Sequence, residues 1–281
     1  IKIPRNGDLI NSMYLRIDLP DIYSSINDEF LWTRSIGLAM INYVEIYIGG
    51  SKIERLTGEY MDINSQLTHS PGKRNRYKQM VGDDLDLSHV SHDKIYYGWD
   101  QSINNKFYNT RPSLLGRELT IPLEFWFMRN NGSALPLISL QYHDVEIEIE
   151  IKAVRDLYTI FVNDDSHSAV PGNSDTLNAH HLNKVRIKPN GNIGKYIYPE
   201  GGDTFKTWDL NPHIDMNYIF LDTEERRNFA QNTHEYIIEQ VQYHNLDNVH
   251  DSVIMEIEPY HPCKEMIFTV NKNNNEDRNE W

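Results

Sequence analysis

The sequence predicts an all-β protein, a sandwich or barrel of antiparallel strands. Residues 145–152 (VEIEIEIK) alternate without exception between apolar and charged side chains, which is the period of a strand with one buried and one wet face. Strand signals of this kind recur along the chain, whereas helix signals are few. Strands and helices also lack the regular alternation that predicts a parallel sheet. These observations favour a sandwich or barrel over an α/β fold.

The predicted strands are separated by turn residues such as Gly49 and Gly50. In chain order they lie at residues 13–19, 36–48, 119–128, 135–154, 216–221, 252–258 and 265–270. Pro122 indicates an edge or bulge position in the third of them, because proline has no N–H to donate to a neighbouring strand.

A short helix is predicted between the last two groups of strands. Asp222 precedes Glu225 by three residues in the run DTEE, a capping-box pattern that predicts a helix through about Gln231. Because a strand ends before this helix and new strand signals begin at His234, the helix indicates a domain boundary.

A second short helix is predicted after Gly58. Tyr60, Ile63 and Leu67 follow at spacings that put them on one side of a helix.

Two long polar segments, residues 68–117 and 155–215, are predicted to be connections. They contain scattered Gly, Asn, Asp and Pro, and connections of this length in compact domains usually have a surface function. The basic run KRNRYK at residues 73–78 could contact a phosphate or an acidic partner, but a solvated loop is the favoured interpretation.

Composition limits the possible functions. The 27 lysines and arginines against 41 acidic residues leave a net charge of −14, which disfavours a nucleic-acid-binding protein. No apolar run approaches the ~20 residues needed to cross a bilayer, so no membrane insertion is predicted. A single cysteine, Cys263, excludes an internal disulfide and fits a reducing compartment. Both ends read as cut, which predicts a piece of a longer protein.

No catalytic, metal or cofactor site is predicted. The histidines closest in sequence, His89 with His92 and His180 with His181, do not match a zinc motif. No nucleophile elbow and no phosphate-binding glycine motif is present. A β protein with long polar loops and no visible active site is more plausibly a binding or assembly module than an enzyme.

The glutamates at positions 146, 148 and 150 allow one enzymatic alternative. They would lie roughly 7 Å apart along a strand, and glycosidases place two carboxylates about 5–10 Å apart. A carbohydrate-binding or glycosidase-like sandwich would use Glu146, Trp99 or Trp126 at a sugar site. A solvated or subunit-facing surface is the favoured interpretation, because the opposite face is regularly apolar.

Four blocks resemble the major capsid proteins of nucleocytoplasmic large DNA viruses. The resemblance covers most of the chain, in the family's order, and leaves out the two long connections. The blocks are IPRNGDLINSMYLRIDLP (3–20), NYVEIYIGGSKIERLTGEYM (42–61), LEFWFMRNNGSALPLISLQYHDVEIEIEI (123–151) and YIFLDTEERRNFAQNTHEYIIEQVQ (218–242).

The resemblance implies two consecutive jelly rolls. Residues 1–221 would be the first jelly roll without its opening strand, 222–233 the linker helix, and 234–281 the beginning of the second. It also implies a protein that forms homotrimers of pseudo-hexagonal outline and tiles an icosahedral shell beside neighbouring capsomers and minor capsid proteins. We expect it in the virion, assembled in the host cytoplasm, with no direct nucleic-acid contact; a membrane beneath the shell is compatible with this. A minor capsid or spike protein of the same fold is the second alternative.

The first block contains a candidate structural motif. Asn6 and Gly7 are predicted to form a tight turn or bulge that aims the following strand. Arg5 and Asp8 would flank it as hydrogen-bonding partners. A replacement of Gly7 by valine is expected to impair folding or trimer yield.

Overall fold

The structure is a computed structural model that describes residues 1–24, 28–88, 98–99, 107–108, 112–163, 184–187, 193–197, 208–246, 249, 252–271, 279 and 281. The strands in this part of the chain are β1 (Leu9–Leu19), β2 (Asp28–Trp32), β3 (Ile41–Ile48), β4 (Ser51–Leu56), β5 (Gly98–Trp99), β6 (Phe107–Tyr108), β7 (Arg117–Pro122), β8 (Val145–Ile151), β9 (Tyr158–Asn163), β10 (Lys184–Ile187) and β11 (His213–Ile219). The α-helices are α1 (Ile36–Ala39), α2 (Gly58–Thr68), α3 (Pro71–Val81), α4 (Leu85–Ser88), α5 (Trp126–Arg129), α6 (Gly194–Ile197) and α7 (Thr223–Gln231).

The strands form antiparallel sheets. Three sheets of three strands have the orders β11–β1–β7, β10–β9–β2 and β4–β3–β8, and β5 pairs with β6. Each of these pairs is antiparallel. The predicted all-β class with few short helices is confirmed.

β1 is the central strand of its sheet, paired with β11 on one side and β7 on the other, and one of its faces is apolar. Met13, Leu15 and Ile17 are buried and alternate with partly exposed residues. Leu15 lies between Ile214 on β11 and Ile121 on β7, so apolar side chains face the core in three successive strands.

The alternating strand β8 lies at an edge of its sheet. Ile147 is buried opposite Ile46 of β3, as the apolar face of the pattern predicts. On its other side, the amide of Ile3 donates to the carbonyl of Val145 and the amide of Ile147 donates to the carbonyl of Ile1. The first residues of the chain therefore pair with the beginning of β8.

One hydrophobic cluster joins the three larger sheets. It contains Ile17 of β1, Ile46 of β3, and Phe30 of β2 with Ile160 of β9, so all three sheets contribute to it. Phe30 stacks on Tyr158 with ring centroids 4.6 Å apart. The sheets thus share a core, which is how antiparallel sheets with one apolar face are stabilised.

Three predicted strands are shorter than expected. The segment 36–48 begins with the buried helical turn α1 before β3, because Ser35 has a left-handed backbone with φ 49°. The segment 119–128 ends as a strand at Pro122 and continues into α5. In the segment 135–154 only Val145–Ile151 is a strand. Apolar runs do not distinguish a buried helical turn from a buried strand.

The predicted helix after Gly58 is α2, but Tyr60, Ile63 and Leu67 are not among its buried residues. Leu67 is 65% exposed, whereas Met61 and Ser65 are buried. The N-terminus of the helix lies so close to α1 that a Cβ on Gly58 would be 2.0 Å from the carbonyl oxygen of Leu38. This contact with α1 decides which side of α2 is buried.

The two predicted connections contain regular structure. Helix α3, with the basic run, and α4 lie within 68–117, and β9, β10 and α6 lie within 155–215. The basic run is therefore helical, contrary to the prediction of a loop. Low apolarity hid α3, although Pro71 in its first turn and Gly82 after its end, with φ 77°, are helix boundary signals.

The predicted strands 252–258 and 265–270 are not strands in the structure. Their apolar side chains lack a packing surface, since Ile254 and Val270 are each 95% exposed. A strand needs a neighbouring strand to satisfy its backbone groups, and no described strand lies beside either segment.

Candidate functional site

The motif Arg5–Asp8 lies where the start of the chain, the turn after residue 137 and helix α7 meet. Arg5 closes that turn: its guanidinium donates hydrogen bonds to the carbonyls of Leu140 at 2.9 Å, His143 at 3.0 Å and Gln141. A planar guanidinium suits several acceptors at once because its donors form a rigid fork.

Asp8 connects the start of β1 to the end of β11 and to helix α7. Its side chain is buried, and one carboxylate oxygen accepts the amide of Leu221 while the other accepts Nε of Arg226, each at 2.9 Å. The amide of Asp8 donates to the carbonyl of Ile219 at 3.1 Å. A single buried carboxylate therefore holds the end of β11 and the first turn of α7.

Gly7 is required for close packing, and its backbone does not have positive φ. A Cβ at this position would lie 2.7 Å from Cβ of Tyr218 on β11. The Tyr218 hydroxyl donates to the carbonyl of Pro4 at 2.7 Å, so both ends of this tyrosine contact the same segment. Asn6 is exposed.

Helix α7 begins where the sequence places its cap. Asp222 is the N-cap, and its Oδ1 accepts the amide of Glu225 at 2.8 Å. This bond satisfies one of the free amides of the first turn, and the positive end of the helix dipole stabilises the acidic side chains there. The hydroxyl of Ser139 donates to the carbonyl of Phe229 at 2.8 Å, which fixes the last turn of the helix to the turn that precedes β8.

The chain after α7 contacts helix α5 and strand β4. Glu239 accepts hydrogen bonds from Arg129 of α5 and from Lys264, and the side chain of Gln240 donates to the carbonyl of Ile53. Ile238 packs against the hydrophobic core. These contacts, together with Asp8, define the candidate functional site as a structural junction.

Sequence reasoning missed several members of this junction. The partners Arg226, Arg129 and Glu239 are charged residues in polar runs, and nothing in their spacing points to their contacts. Glu54 did have a sequence signal. It lies two residues before Leu56 in SKIERL, so a strand places both side chains on the same, buried face of β4.

Glu54 is a buried carboxyl group beside this junction. Its Oε2 accepts the amide of Trp126 at 3.3 Å, and its Oε1 has no hydrogen-bond partner among the described residues. Burial raises the pKa of Glu54 to about 7, partly opposed by the positive charge of Arg129.

We expect Glu54 to make stability pH-dependent. Because its pKa rises from 4.5 to about 7 on folding, the folded state retains a proton that the unfolded chain has released. Stability should therefore fall as the pH rises from about 4.5 to about 7, by about 3 kcal/mol. Glu54→Gln should remove this fall and be more stable than the original protein near pH 8, as measured by urea unfolding across this range.

The exposed Glu235→Gln is the matched control for Glu54→Gln. It should retain the pH dependence, because its carboxyl group remains in water in both states. An unchanged slope in Glu54→Gln would show that the Glu54 carboxyl titrates normally in the folded protein.

A second buried polar pair lies between α2 and the segment after β7. His69 Nε2 is 3.2 Å from Glu124 Oε1, and Asn64 donates to the other Glu124 oxygen at 2.8 Å. Burial lowers the pKa of His69 and raises the pKa of Glu124, so both groups disfavour their charged forms. The pair is enclosed by protein, which indicates a role in packing the helices onto the sheet.

The glutamate row lies on the exposed face of β8. Glu148 accepts a hydrogen bond from the hydroxyl of Tyr43 at 3.0 Å, and Glu150 accepts one from the side chain of Asn42 at 2.6 Å. Lys2 lies opposite Glu146. The side chains of Glu148 and Glu150 thus interact with residues of the neighbouring strand β3, which favours a polar surface.

The aromatic residues proposed for a sugar site do not support that alternative. Trp126 is buried in the core cluster, so its ring is not free to stack on a sugar. The side chain of Trp99 is outside the described part of the chain.

No metal site is found in the described ranges. They contain no group of three or more His, Cys, Asp or Glu side chains that could hold an ion. His89, His92, His180 and His181 lie outside these ranges. The described helices also include none that is long and apolar enough to cross a membrane.

Antiparallel sheets on a shared core, joined through charged contacts to α7, define an antiparallel β protein whose candidate site is a structural junction. The family model described as the N-terminus of major capsid proteins matches residues 1–198. The chain belongs to this family of viral major capsid proteins, and the resemblance predicted from the four blocks is confirmed. Membership of a family of capsid proteins also supports the prediction that the chain is not an enzyme.

Individual relatives agree with the family match. The major capsid protein of Phaeocystis pouchetii virus is 34% identical over 98% of this chain and 48% of the relative. Capsid protein 1 of Acanthamoeba polyphaga mimivirus is 31% identical over 96% of this chain and 39% of the relative. A quasi-atomic model of the PBCV-1 virus capsid is similar in structure, with a TM-score of 0.48 and 24% identity over 85% of this chain and 42% of that chain. The chain spans about half the length or less of these proteins.

Proposed function

We propose that this chain is the N-terminal part of a major capsid protein that builds the shell of a large DNA virus. The match of the family model to residues 1–198 is the observation that carries this proposal. The shared core of antiparallel sheets supports it, because a shell subunit must keep its shape while contacts form on several sides. The protein would be located in the virion after assembly in the host cytoplasm.

Its domains would follow the family's arrangement. Residues 1–221 would form the first jelly roll, 222–233 the linker and 234–281 the beginning of a second jelly roll. The exposed apolar side chains after α7, such as Ile237 at 99% and Ile254 at 95%, fit strands that pack against further parts of a longer chain. The relatives are about twice as long as this chain or longer, which is consistent with a second domain.

Three copies of such a protein would form the capsomer. Two similar jelly rolls in each of three subunits produce six similar corners, so a trimer can occupy a hexagonal lattice position. Neighbouring capsomers and minor capsid proteins would be the other partners. The net charge of −14 makes direct binding to the viral genome unfavourable.

We expect the full-length protein to be a trimer in solution. Size-exclusion chromatography with light scattering should give a mass three times that of the subunit. A stable monomer would contradict the proposed capsomer, and sugar binding by that monomer would support the carbohydrate-binding alternative.

Abundance separates a major capsid protein from a minor or spike protein of the same fold. Quantitative mass spectrometry of purified particles should find this protein among the most abundant virion components. A low copy number would assign the chain to a minor shell or spike role.

A further inference from the structure

A small cavity lies among the helices α1, α2 and α3. It has a volume of about 10 Å³ and is lined by residues from the start of α1, from α2 and from α3. This volume is about the least that a buried water molecule requires.

Three residues that line this cavity each have a buried polar atom without a partner among the described residues. Ser35, Arg74 and Tyr77 all line it. In each of them one buried atom, Ser35 Oγ, Arg74 Nε or Tyr77 Oη, has no hydrogen-bond partner among the described residues. Ser35 is completely buried and Tyr77 is 4% exposed. Buried polar atoms are almost always hydrogen-bonded in folded proteins. Three unpartnered polar atoms in residues that line one cavity therefore require an explanation.

The acidic groups beside the cavity do not supply that partner. Asp83 is occupied by Arg34 at 3.0 Å and by Lys78 at 3.2 Å. A carboxylate oxygen of Asp62 accepts from the side chain of Gln66 at 3.0 Å. Both carboxylates thus already accept hydrogen bonds, and acidic and basic side chains line the cavity together, which favours a neutral occupant over an ion.

We propose that the cavity is the binding site of a single structural water molecule that joins the start of α1 to α3. The Arg74 Nε–H can only donate, so the water accepts this hydrogen bond. It donates to the hydroxyl of Ser35 and exchanges a hydrogen bond with the hydroxyl of Tyr77. These partners are within the two to four that buried waters usually have.

The water stabilises the docking of α3 on the sheet unit. Tyr77 and Val81 are the buried residues of α3, so this helix has a small apolar face. Burial, together with the carboxylates of Glu124 and Asp62, raises the pKa of Tyr77, and its hydroxyl remains a donor at ordinary pH. A water that connects Tyr77 to the start of α1 adds polar contacts that the sparse apolar face does not supply.

Tyr77→Phe tests this site, because a water-bound hydroxyl and an unpartnered buried hydroxyl predict different changes in the midpoint of thermal unfolding. Removal of a hydroxyl bound to water should lower the midpoint of thermal unfolding of the full-length protein by roughly 2–4 °C. Removal of an unpartnered buried hydroxyl would leave the midpoint unchanged or raise it, which would overturn the proposal. The exposed Tyr142→Phe is the matched control and should have no effect.

Ser35→Ala and the double variant test whether the two hydroxyls share one water. If they do, the decrease in the double variant should be smaller than the sum of the single decreases, because either change already disturbs the water. Additive decreases would contradict a shared molecule.

A high-resolution crystal structure of the full-length protein provides the direct observation. It should contain one ordered water within hydrogen-bond distance of Tyr77 Oη and Arg74 Nε, and this water should be absent or displaced in Tyr77→Phe. A cavity without ordered density, or with an ion in it, would overturn the proposal. None of these results depends on whether the protein forms trimers.

Discussion

Gly7→Val should destabilise the protein by about 3 kcal/mol, at the upper end of the usual cost of overpacking, and should reduce the yield of folded protein. The new Cβ would lie 2.7 Å from Cβ of Tyr218, which is closer than two carbon atoms approach in folded proteins. Tyr218 cannot easily move away, because its backbone pairs with Ile10 of β1 and its hydroxyl is bonded to Pro4. The two strands would have to separate to make room.

Urea unfolding and the yield of soluble full-length protein are the measurements for this variant. Gly72→Val is the matched control, since a Cβ at Gly72 meets no heavy atom within 4 Å, and it should fold normally. Gly7→Ala should cause a smaller loss than Gly7→Val. Normal stability of Gly7→Val would show that the segment before β1 does not pack against Tyr218 as described.

Asp8→Ala should cost about 1–3 kcal/mol, because it removes a buried acceptor of two hydrogen bonds, one of them from a solvent-exposed guanidinium. The amide of Leu221 and the guanidinium of Arg226 would both lose their partner. Since these groups lie at the end of β11 and in α7, the linker helix should become more mobile than the core. Hydrogen exchange should therefore accelerate in α7 more than in β1.

Two further variants make this prediction specific. Asp144→Ala removes an exposed ion pair with Lys2, and it should have little effect, because such pairs are screened by solvent. Asp8→Asn retains one carbonyl acceptor and should be intermediate. Equal effects of Asp8→Ala and Asp144→Ala would contradict the proposed role of Asp8 in holding the linker.

The predictions from sequence succeeded where a signal is local and regular. The alternation in β1 and β8 is visible in the sequence, and both segments are strands with the expected buried faces. Local patterns failed where two structures share one pattern. The apolar run 36–48 is a helical turn followed by a strand, and the left-handed backbone of Ser35 just before this turn has no sequence signal.

Contacts between distant residues lie beyond such patterns. Asp8 is 218 positions before Arg226, and no property of either residue identifies the other. Helix α3 is similar: its polar sequence resembles a loop, and it is buried through Tyr77 and Val81 only because α1, α2 and β7 provide a surface.

The sequence by itself determined the all-β class, the buried faces of the regular strands and the family, because these depend on periodicity and on blocks of residues read in order. Only the tertiary structure decided which sheet each strand joins, which face of α2 is buried and which residues hold α7 against the strands. The physical reason is that hydrogen-bond partners and packing surfaces come from distant parts of the chain. The segments 252–258 and 265–270 show the same dependence: they have the pattern of strands, and without neighbouring strands they do not form any.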